Sequence, residues 1–448
     1  MEIVIKLGQF LLSLSLLIVL HELGHFIPAK LFKTRVEKFY LFFDIKYSLF
    51  KKKIGDTEYG IGWLPLGGYV KISGMIDESM DKEQMALPPQ PWEFRSKPAW
   101  QRLIIMLGGV TVNFILAFII YIGMTFFYGE LFISNSDIKD GVWITNPVIE
   151  KSGIKTGDKI IAVDGVKIDR FNEINEKVLL GKEVIVERNG TEQKVNLPVD
   201  FINQLMDGKK ISVVELRLPF IVSGVEENSA NKSSVQEKDV VTSFNGVSVQ
   251  YADQIISAVK ELKGKTVPAI VKRDGKEVAL SIVVNDSSKM GIQYAARLPY
   301  DNIEKLGLYP IRKQNYGFLE SFPVGIERGK DQLVGYWKQL QMIFTPSTGA
   351  YKGVGGFKAI FDIFPASWSW EAFWSITALL SIMLGVMNLL PIPALDGGHV
   401  MFLLYEIISR RKPSDKFLEN AQMVGFVLLI SLLLFANGND IYKAIVGK

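Results

Sequence analysis

Four apolar segments constrain the fold of this 448-residue chain more than any other feature of its sequence. They run over residues 7–27, 103–127, 373–395 and 418–435. A helix needs about 20 mostly apolar residues to cross a bilayer, and the backbone can be satisfied there only in helices or closed barrels. The first segment lacks the small-residue cleavage site of a signal peptide. The pattern predicts a polytopic α-helical membrane protein with four transmembrane helices.

Basic residues between these segments predict the direction in which the helices cross. The stretch between the first two segments is rich in Lys and Arg, and the stretch between the last two holds Arg410, Arg411, Lys412 and Lys416. Such loops face the cytoplasm, so both termini and the large middle region are expected outside. A net charge of +4 gives no reason to expect a nucleic-acid partner, and the absence of cysteine excludes disulfides.

The first apolar segment contains the sequence His21-Glu22-Leu23-Gly24-His25. Residues four apart share a helix face, so His21 and His25 can direct both imidazoles at one metal ion. Glu22 can then reach a metal-bound water and act as a general base. Ionisable groups inside a membrane mark a functional site by default. The alternative is an interfacial polar cluster that binds no metal.

A third metal ligand is expected from the far end of the chain. Asp396 follows the third apolar segment, within Leu395-Asp396-Gly397-Gly398-His399. Three protein ligands leave a fourth position open for water, as a catalytic zinc site requires. Asp396 could instead be a turn residue that caps a helix. We expect His399, the third of the three histidines, to be structural or to support a ligand.

The position of His21 predicts where a reaction would occur. It lies 14 residues beyond Leu7, which is about 21 Å along a helix, within a hydrocarbon layer of about 30 Å. The metal would lie towards the cytoplasmic face, so we expect hydrolysis of a peptide bond within or beside the bilayer.

Residues 52–76 are typical of β structure, and we predict a hairpin of 57–63 and 67–72 around Pro65. It could dip into the membrane or be an ordinary cytoplasmic hairpin, and the sequence leaves both open. Residues 77–100 are expected to form a loop.

Several small or helix-breaking residues interrupt the second and third apolar segments. Gly109 and Asn113 share a helix face, where Gly permits close packing and a buried Asn needs a partner. Pro391 and Pro393 should break the third helix and free backbone groups that can pair with an extended substrate. Asn388 could bind the same strand, or it could hydrogen-bond a neighbouring helix.

The region from about 128 to 316 contains an internal repeat. Residues 152–165 have a counterpart in 235–246, and each copy continues into a helix and a hairpin. This pattern resembles tandem PDZ domains, which bind extended peptides at a sheet edge. Alternatively, the two modules act only as spacers or gates, since Lys238 stands in the second copy where Gly157 stands in the first. Residues 318–344 predict an amphipathic helix on the outer membrane surface.

Taken together, these motifs resemble the site-2 proteases, a family of intramembrane zinc metalloproteases, in their bacterial sigma-E-regulating type. The resemblance implies Zn²⁺ bound by His21, His25 and Asp396, with Glu22 as the general base. It also implies substrate contacts from the following residues: Asn388, Gly67, Gly68, Pro391, Pro393 and Asn113. Val110 and Gly355-Gly356 depart from the family pattern, in which Pro and Gly-Pro are usual, and this puts substrate handling in doubt.

The resemblance further implies substrates that are single-span membrane proteins such as anti-sigma factors, cut after their outer domain is trimmed, and remnant signal peptides. It implies a monomer in the bacterial inner membrane, in contact with lipid. Its termini and PDZ-like modules would be periplasmic, and its active site would lie towards the cytoplasm. A scaffold with structural zinc is the rival interpretation, but a structural site needs no base like Glu22.

The predicted boundaries follow from these assignments. They are 1–30 for the first transmembrane helix, 31–101 for a cytoplasmic region with the hairpin, 102–128 for the second transmembrane helix, 129–215 and 216–310 for the PDZ-like modules, 311–371 for the amphipathic and interfacial segment, 372–400 for the third transmembrane helix, 401–417 for a cytoplasmic loop, and 418–448 for the fourth transmembrane helix and the C-terminus.

Overall fold

A computed structural model describes residues 1–65, 67–75, 87–207 and 213–446. The part of the predicted loop at 77–86 lies outside these residues. The helices are α1 Glu2–Leu31, α2 Ala99–Tyr128, α3 Pro147–Ser152, α4 Ile174–Leu180, α5 Phe201–Asp207, α6 Ala252–Val259, α7 Tyr300–Lys305, α8 Ser321–Ile343, α9 Phe357–Asp362, α10 Trp370–Leu389, α11 Asp396–Ser409 and α12 Asp415–Val446.

The strands alternate with the helices in two regions of the chain. They are β1 Val36–Leu41, β2 Phe43–Ile54, β3 Thr57–Leu64, β4 Tyr69–Ile72, β5 Glu130–Phe132, β6 Lys159–Val163, β7 Val166–Lys167, β8 Glu183–Arg188, β9 Thr191–Asn196, β10 Phe220–Val225, β11 Val240–Phe244, β12 Val247–Ser248, β13 Thr266–Arg273, β14 Lys276–Val283, β15 Ile292–Tyr294 and β16 Arg312–Gln314. The chain forms two compact units, of which the second comprises residues 130–314 and 345–350 and the first comprises the rest.

The first unit contains the apolar helices. Among the described residues, four helices are long and apolar enough to cross a membrane: α1, α2, α10 and α12 as far as Tyr442. This agrees with the predicted four spans. Each contains a mostly apolar stretch with few charged residues, about as long as a bilayer requires.

Glycine allows α1 and α2 to approach each other closely. A Cβ on Gly24 would clash with the backbone of Gly108, and one on Gly108 would clash with the carbonyl of Gly24. A Cβ on Gly109 would clash with the imidazoles of both His21 and His25. Small residues at a helix crossing permit this backbone approach, which places the two histidines directly against α2.

The sheet of the first unit differs from the predicted hairpin. Its strand order is β2-β3-β1-β4, so β1 lies between the two strands that we predicted to pair. β3 runs parallel to β1, and β4 runs antiparallel to it. The hairpin prediction was wrong because β1 alternates poorly in polarity. Its Tyr40 is fully buried, and the adjacent Phe39 and Leu41 are also apolar but only half-buried.

The third apolar segment breaks where the prolines predict. α10 ends at Leu389, and a new helix, α11, begins at Asp396. The segment between them contains Pro391 and Pro393. Residues 401–409, predicted as a loop, instead continue α11, because the apolar residues Val400 and Leu403 are buried against the first unit's core.

The predicted amphipathic helix is present as α8, but part of its apolar face packs on α2 and α10 and not on a membrane surface. A Cβ on Gly325 would lie 2.5 Å from the Cα of Ile122 in α2. Arg328 donates a hydrogen bond to the Thr125 hydroxyl at 3.0 Å. Tyr336 is buried in a cluster with α2 and α10. The prediction of a surface helix was therefore wrong for this face, since periodicity cannot distinguish lipid from protein as the apolar partner.

The second unit contains two β-rich modules that repeat one local design. Module 1 has the sheet order β7-β6-β8-β9, and module 2 has β14-β13-β11-β10-β15. In module 1, Arg188 forms an ion pair with buried Asp158 at 2.6 Å. In module 2, Arg273 forms the same pair with buried Asp239 at 2.6 Å. Lys238 has a positive φ of 70°, like its counterpart Gly157 at 95°, so both turns take the same backbone shape.

Module 1 extends beyond its predicted boundary. Ile303 on α7 is 1% exposed and belongs to the core cluster of module 1, and β16 pairs with β5. Residues 298–314 therefore pack on module 1, although 216–310 were assigned to module 2. The chain thus comes back to module 1 after it has formed module 2, and no local sequence pattern predicts this.

The ion pair of module 2 predicts a pH dependence of stability. Burial alone would raise the pKa of Asp239, but hydrogen bonds from Arg273 and from the Gln236 backbone outweigh it and hold the pKa below its usual value. A lowered folded pKa adds stability above the unfolded pKa of about 3.9, and this is lost as the pH falls towards the folded pKa. Arg273→Met should cost about 3 kcal/mol at pH 7 by leaving a buried carboxylate unpaired.

The loss of stability caused by Arg273→Met should be smaller near pH 3, where the Asp239 carboxyl group of the variant is neutral. Hydrogen exchange of β11 and β13 in the full chain, measured at both pH values, would show this. Asp286→Asn, at an exposed loop position, is the control. An equal cost at both pH values would contradict the assignment.

Candidate metal centre

Three side chains from distant parts of the chain converge in the first unit. His21 and His25 lie one turn apart on α1, and Asp396 is the first residue of α11. The two Nε2 atoms are 3.3 Å apart. The Asp396 Oδ2 atom lies 3.4 Å from Nε2 of His21 and 3.3 Å from Nε2 of His25. These are the three residues predicted as metal ligands, and among the described residues theirs is the one cluster of His, Cys, Asp and Glu that could hold a metal ion.

The chemistry of this cluster fits a metal ion. The Asp396 Oδ2 atom is buried and has no hydrogen-bond partner among the described residues. The His25 Nδ1 atom lies 2.8 Å from the carbonyl oxygen of Ile105, so it carries the proton and leaves the Nε2 lone pair directed at the cluster. Three electron-pair donors this close need a cation between them. Two imidazole nitrogens and a carboxylate oxygen are ligands that suit Zn²⁺.

His21 is oriented by α2 in the same way. Its imidazole hydrogen-bonds the backbone of Gly109, and its Nδ1 atom lies 3.0 Å from the side-chain amide of Asn113. Asn113 is fully buried, and its Oδ1 atom otherwise has no partner among the described residues. Turning the amide by 180° lets Oδ1 share the single Nδ1–H proton with the Gly109 carbonyl as a second acceptor. The Asn113 Oδ1 atom then has a donor, the His21 Nδ1–H group has an acceptor, and the Nε2 lone pair of His21 is left for the metal.

The two supporting carbonyls match the spacing of the two ligands. Ile105 and Gly109 are four residues apart on α2, and they face His25 and His21, which are four apart on α1. The close contact between α1 and α2 therefore brings one backbone carbonyl of α2 to each of the two histidine ligands on α1. Both carbonyls belong to the backbone, so the residue types at positions 105 and 109 do not predict these contacts.

Replacing Asn113 tests this support. Asn113→Leu should weaken zinc binding by about 10- to 100-fold, because it removes one of the two acceptors that orient His21. Asn113→Asp, which offers an acceptor at the same place, should stay within a few-fold of the wild type. Zinc affinity from competition with a chelator measures both. Stronger loss in the Asp variant than in the Leu variant would show that Asn113 acts as a donor.

Glu22 lies beside the cluster and next to β4. The backbone of Val70 donates a hydrogen bond to its carboxylate. A Cβ on Gly68 would lie 3.7 Å from the Glu22 Cγ atom and would clash with Ile18. The Glu22 residue is partly exposed. The end of β4 thus runs past the predicted general base.

The structure places the other predicted site residues at different distances from the cluster. The Asn388 amide, in the last turn of α10, lies 3.3 Å from the His21 Nε2 atom. Asn113 is at 0% exposure beneath His21, so its predicted substrate contact does not fit its burial. A Cβ on Gly67 would lie 3.0 Å from the ring of Phe43. His399 is 2.6 Å from the Gln422 amide and is not among the converging ligand atoms.

Comparisons with known proteins cover nearly the whole chain. The model of peptidase family M50 matches residues 9–432. A protein of Campylobacter jejuni named as a zinc metalloprotease is 28% identical over 445 residues, covering 98% of this chain and 93% of the relative. The regulator of sigma E protease of Haemophilus influenzae is 26% identical over 465 residues, covering 98% and 99%.

Proposed function

The chain belongs to peptidase family M50, as a zinc-dependent metalloprotease of the membrane, and from this premise we propose that it cleaves peptide bonds inside the bilayer. The observation that carries the proposal is the convergence of His21, His25 and Asp396 between helices long and apolar enough to span a membrane. Burying a carboxylate and two imidazoles among such helices costs free energy, so these groups mark a functional site.

We assign a role to each group at the centre. His21, His25 and Asp396 would hold Zn²⁺, which when bound makes water acidic and polarises a carbonyl group. The Glu22 carboxylate takes a proton from the attacking water and passes it to the leaving amine. The Val70 N–H group, which donates to Glu22, keeps the carboxylate on the side of β4.

An extended substrate is held beside Glu22 in this proposal. β4 is an edge strand of its sheet, and Gly68, which directly precedes it, lies against α1. A substrate helix shields its peptide bonds with its own hydrogen bonds, so it must unwind before attack. An unwound segment can add to the edge of β4. The Asn388 amide and the backbone around Pro391 and Pro393 would bind it from the other side.

The substrate class follows from the site and from one relative. We propose single-span membrane proteins of the anti-sigma-factor kind, trimmed beforehand, and remnant signal peptides. The support is the name of the Haemophilus influenzae relative and the place of the centre among the apolar helices. We further propose that the active site lies towards the cytoplasm and that the two PDZ-like modules and the termini lie outside, and the basic loops support this orientation. A monomer surrounded by lipid suffices for this chemistry.

The position of the cut tests the proposal. The full chain in lipid vesicles is mixed with a single-span protein that carries either a short outer tail or a large folded outer domain. We expect a cut within the span, located by mass spectrometry, and only with the short tail. Cleavage confined to soluble segments, equal for both substrates, would contradict intramembrane proteolysis.

A further inference from the structure

One face of α2 contacts both of the helices that carry metal ligands. Four residues of α2 follow one another at spacings of three, four and four positions, which places them on one side of the helix: Arg102, Ile105, Gly109 and Asn113. The last three contact the histidine ligands on α1. Arg102 instead contacts α11, the helix that begins with Asp396.

Arg102 binds α11 through a buried ion pair. Its Nη2 atom donates to the Glu406 Oε1 atom at 2.5 Å, and the two side chains are only 9% and 18% exposed. The Nε atom of Arg102 donates to the carbonyl oxygen of Lys97 at 2.9 Å, which fixes the guanidinium at the start of α2. Hydrogen bonds between charged groups are directional and about twice as strong as neutral ones, so Glu406 is held firmly against α2.

Asp396 lacks the kind of contact that orients the two histidines. Each imidazole hydrogen-bonds a backbone group of α2, whereas the Asp396 Oδ2 atom has no hydrogen-bond partner within the described part of the chain. The position of this carboxylate therefore depends on the helix that carries it. In the first turn of α11, Gly397 and Gly398 pack against the backbone of residues 389–393, which fixes one end of that helix.

Glu406 fixes the other end of α11. It lies ten residues beyond Asp396, which is about 15 Å along a helix. A rotation of α11 by about 5° about its far end would move Asp396 by about 1.3 Å, whereas a metal–ligand distance tolerates only about 0.2 Å. Val400 and Leu403 lie between these two residues, in the buried cluster that includes Ile105 of α2. Apolar contacts are not directional, so they hold α11 on α2 without fixing its tilt.

We propose that Arg102 is a positioning residue for Asp396. By holding Glu406, Arg102 fixes the direction of α11 and so places the third ligand opposite the two histidines. One face of α2 then positions all three ligands. The inference rests on the metal centre of the proposed function, and it adds two charged residues that contact no ligand atom.

Replacing Glu406 in two ways tests the proposal. Glu406→Gln keeps an oxygen acceptor for Arg102, and Glu406→Leu removes it. Zinc affinity of the full chain, from competition with a chelator, should stay within about threefold of the wild type in the Gln variant and fall about tenfold or more in the Leu variant. The control is Arg170→Met, which breaks an Arg–Glu pair of the second unit, with Glu130 at 2.5 Å. It should leave zinc affinity unchanged.

A double variant separates positioning from general stability. Glu406→Leu alone leaves the Arg102 guanidinium buried without its partner, which destabilises the fold. Arg102→Met combined with Glu406→Leu replaces the whole pair with apolar side chains, a change that is often neutral for stability. We expect the double variant to unfold at nearly the wild-type temperature and still to bind zinc about tenfold more weakly than the wild type.

Wild-type zinc affinity in the double variant would overturn the inference, because stability alone would then explain any loss in Glu406→Leu. The double variant also decides the question if Glu406→Leu does not fold. A wild-type chain that binds no zinc would instead refute the metal centre itself. Failure of this inference is therefore distinguishable from failure of the proposed function.

Discussion

Replacing Glu22 with glutamine is expected to abolish cleavage and to leave the metal in place. Glutamine has nearly the same shape as glutamate but cannot take a proton from water at neutral pH. The loss should be about a thousandfold, within the range for general-base groups. Glu22 is not one of the three converging ligand atoms, so zinc content should stay near one per chain. Single-turnover cleavage and metal analysis of the same preparation measure both quantities.

A second glutamate of the first unit supplies the control for this prediction. Glu58 accepts a hydrogen bond from the Tyr40 hydroxyl at 2.7 Å within the sheet, and Glu58→Gln keeps an acceptor there. That variant should cleave like the wild type. If Glu22→Gln cleaved at a comparable rate, Glu22 would not be the base.

Replacing Asp396 with asparagine is expected to remove the metal itself. The Asp396 carboxylate supplies the one negative charge among the three converging ligands, and its Oδ2 atom lies within 3.4 Å of both Nε2 atoms. Asparagine keeps the volume and the first position of α11 but loses that charge. Zinc affinity should fall by about 100-fold or more, and cleavage should fall with it. Competition with a chelator of known affinity gives the first quantity.

Asp415→Asn is the matched control, because Asp415 also begins a helix and, within the described part of the chain, its ion pair is with exposed Lys412 at 3.2 Å. It should keep both zinc and activity. Circular dichroism should show equal helix content in the two variants. An Asp396→Asn protein that retained zinc at wild-type affinity would exclude Asp396 as a ligand.

The ligands were predictable because their residue types carry the chemistry. Histidine spacing on one helix face, and Asp396 after the third apolar segment, placed three side chains that the structure brings together. The groups that orient these ligands were harder to predict from the sequence. The carbonyls of Ile105 and Gly109 act through the backbone, so only the packing of α1 on α2 reveals them.

Long-range pairing explains what the sequence did not predict. β1 lies between β3 and β4 although the chain passes directly from one to the other, and Ile303 packs on module 1 after the chain has left it. Both features depend on contacts between distant segments. Asn175 is an ordinary helical residue in the sequence. Its side-chain oxygen accepts hydrogen bonds from the N–H groups of Val213 and Val214, a contact between distant segments that its residue type does not predict.

Removal of zinc tests the central claim most directly. The purified wild-type chain in vesicles, with a trimmed single-span substrate, is assayed before and after treatment with a zinc chelator, and again after zinc or magnesium is added back. We predict that cleavage within the span is lost on chelation, returns with zinc and does not return with magnesium. Cleavage that continues in metal-free protein, or a chain with one bound zinc that cleaves no trimmed substrate, would contradict an intramembrane metalloprotease.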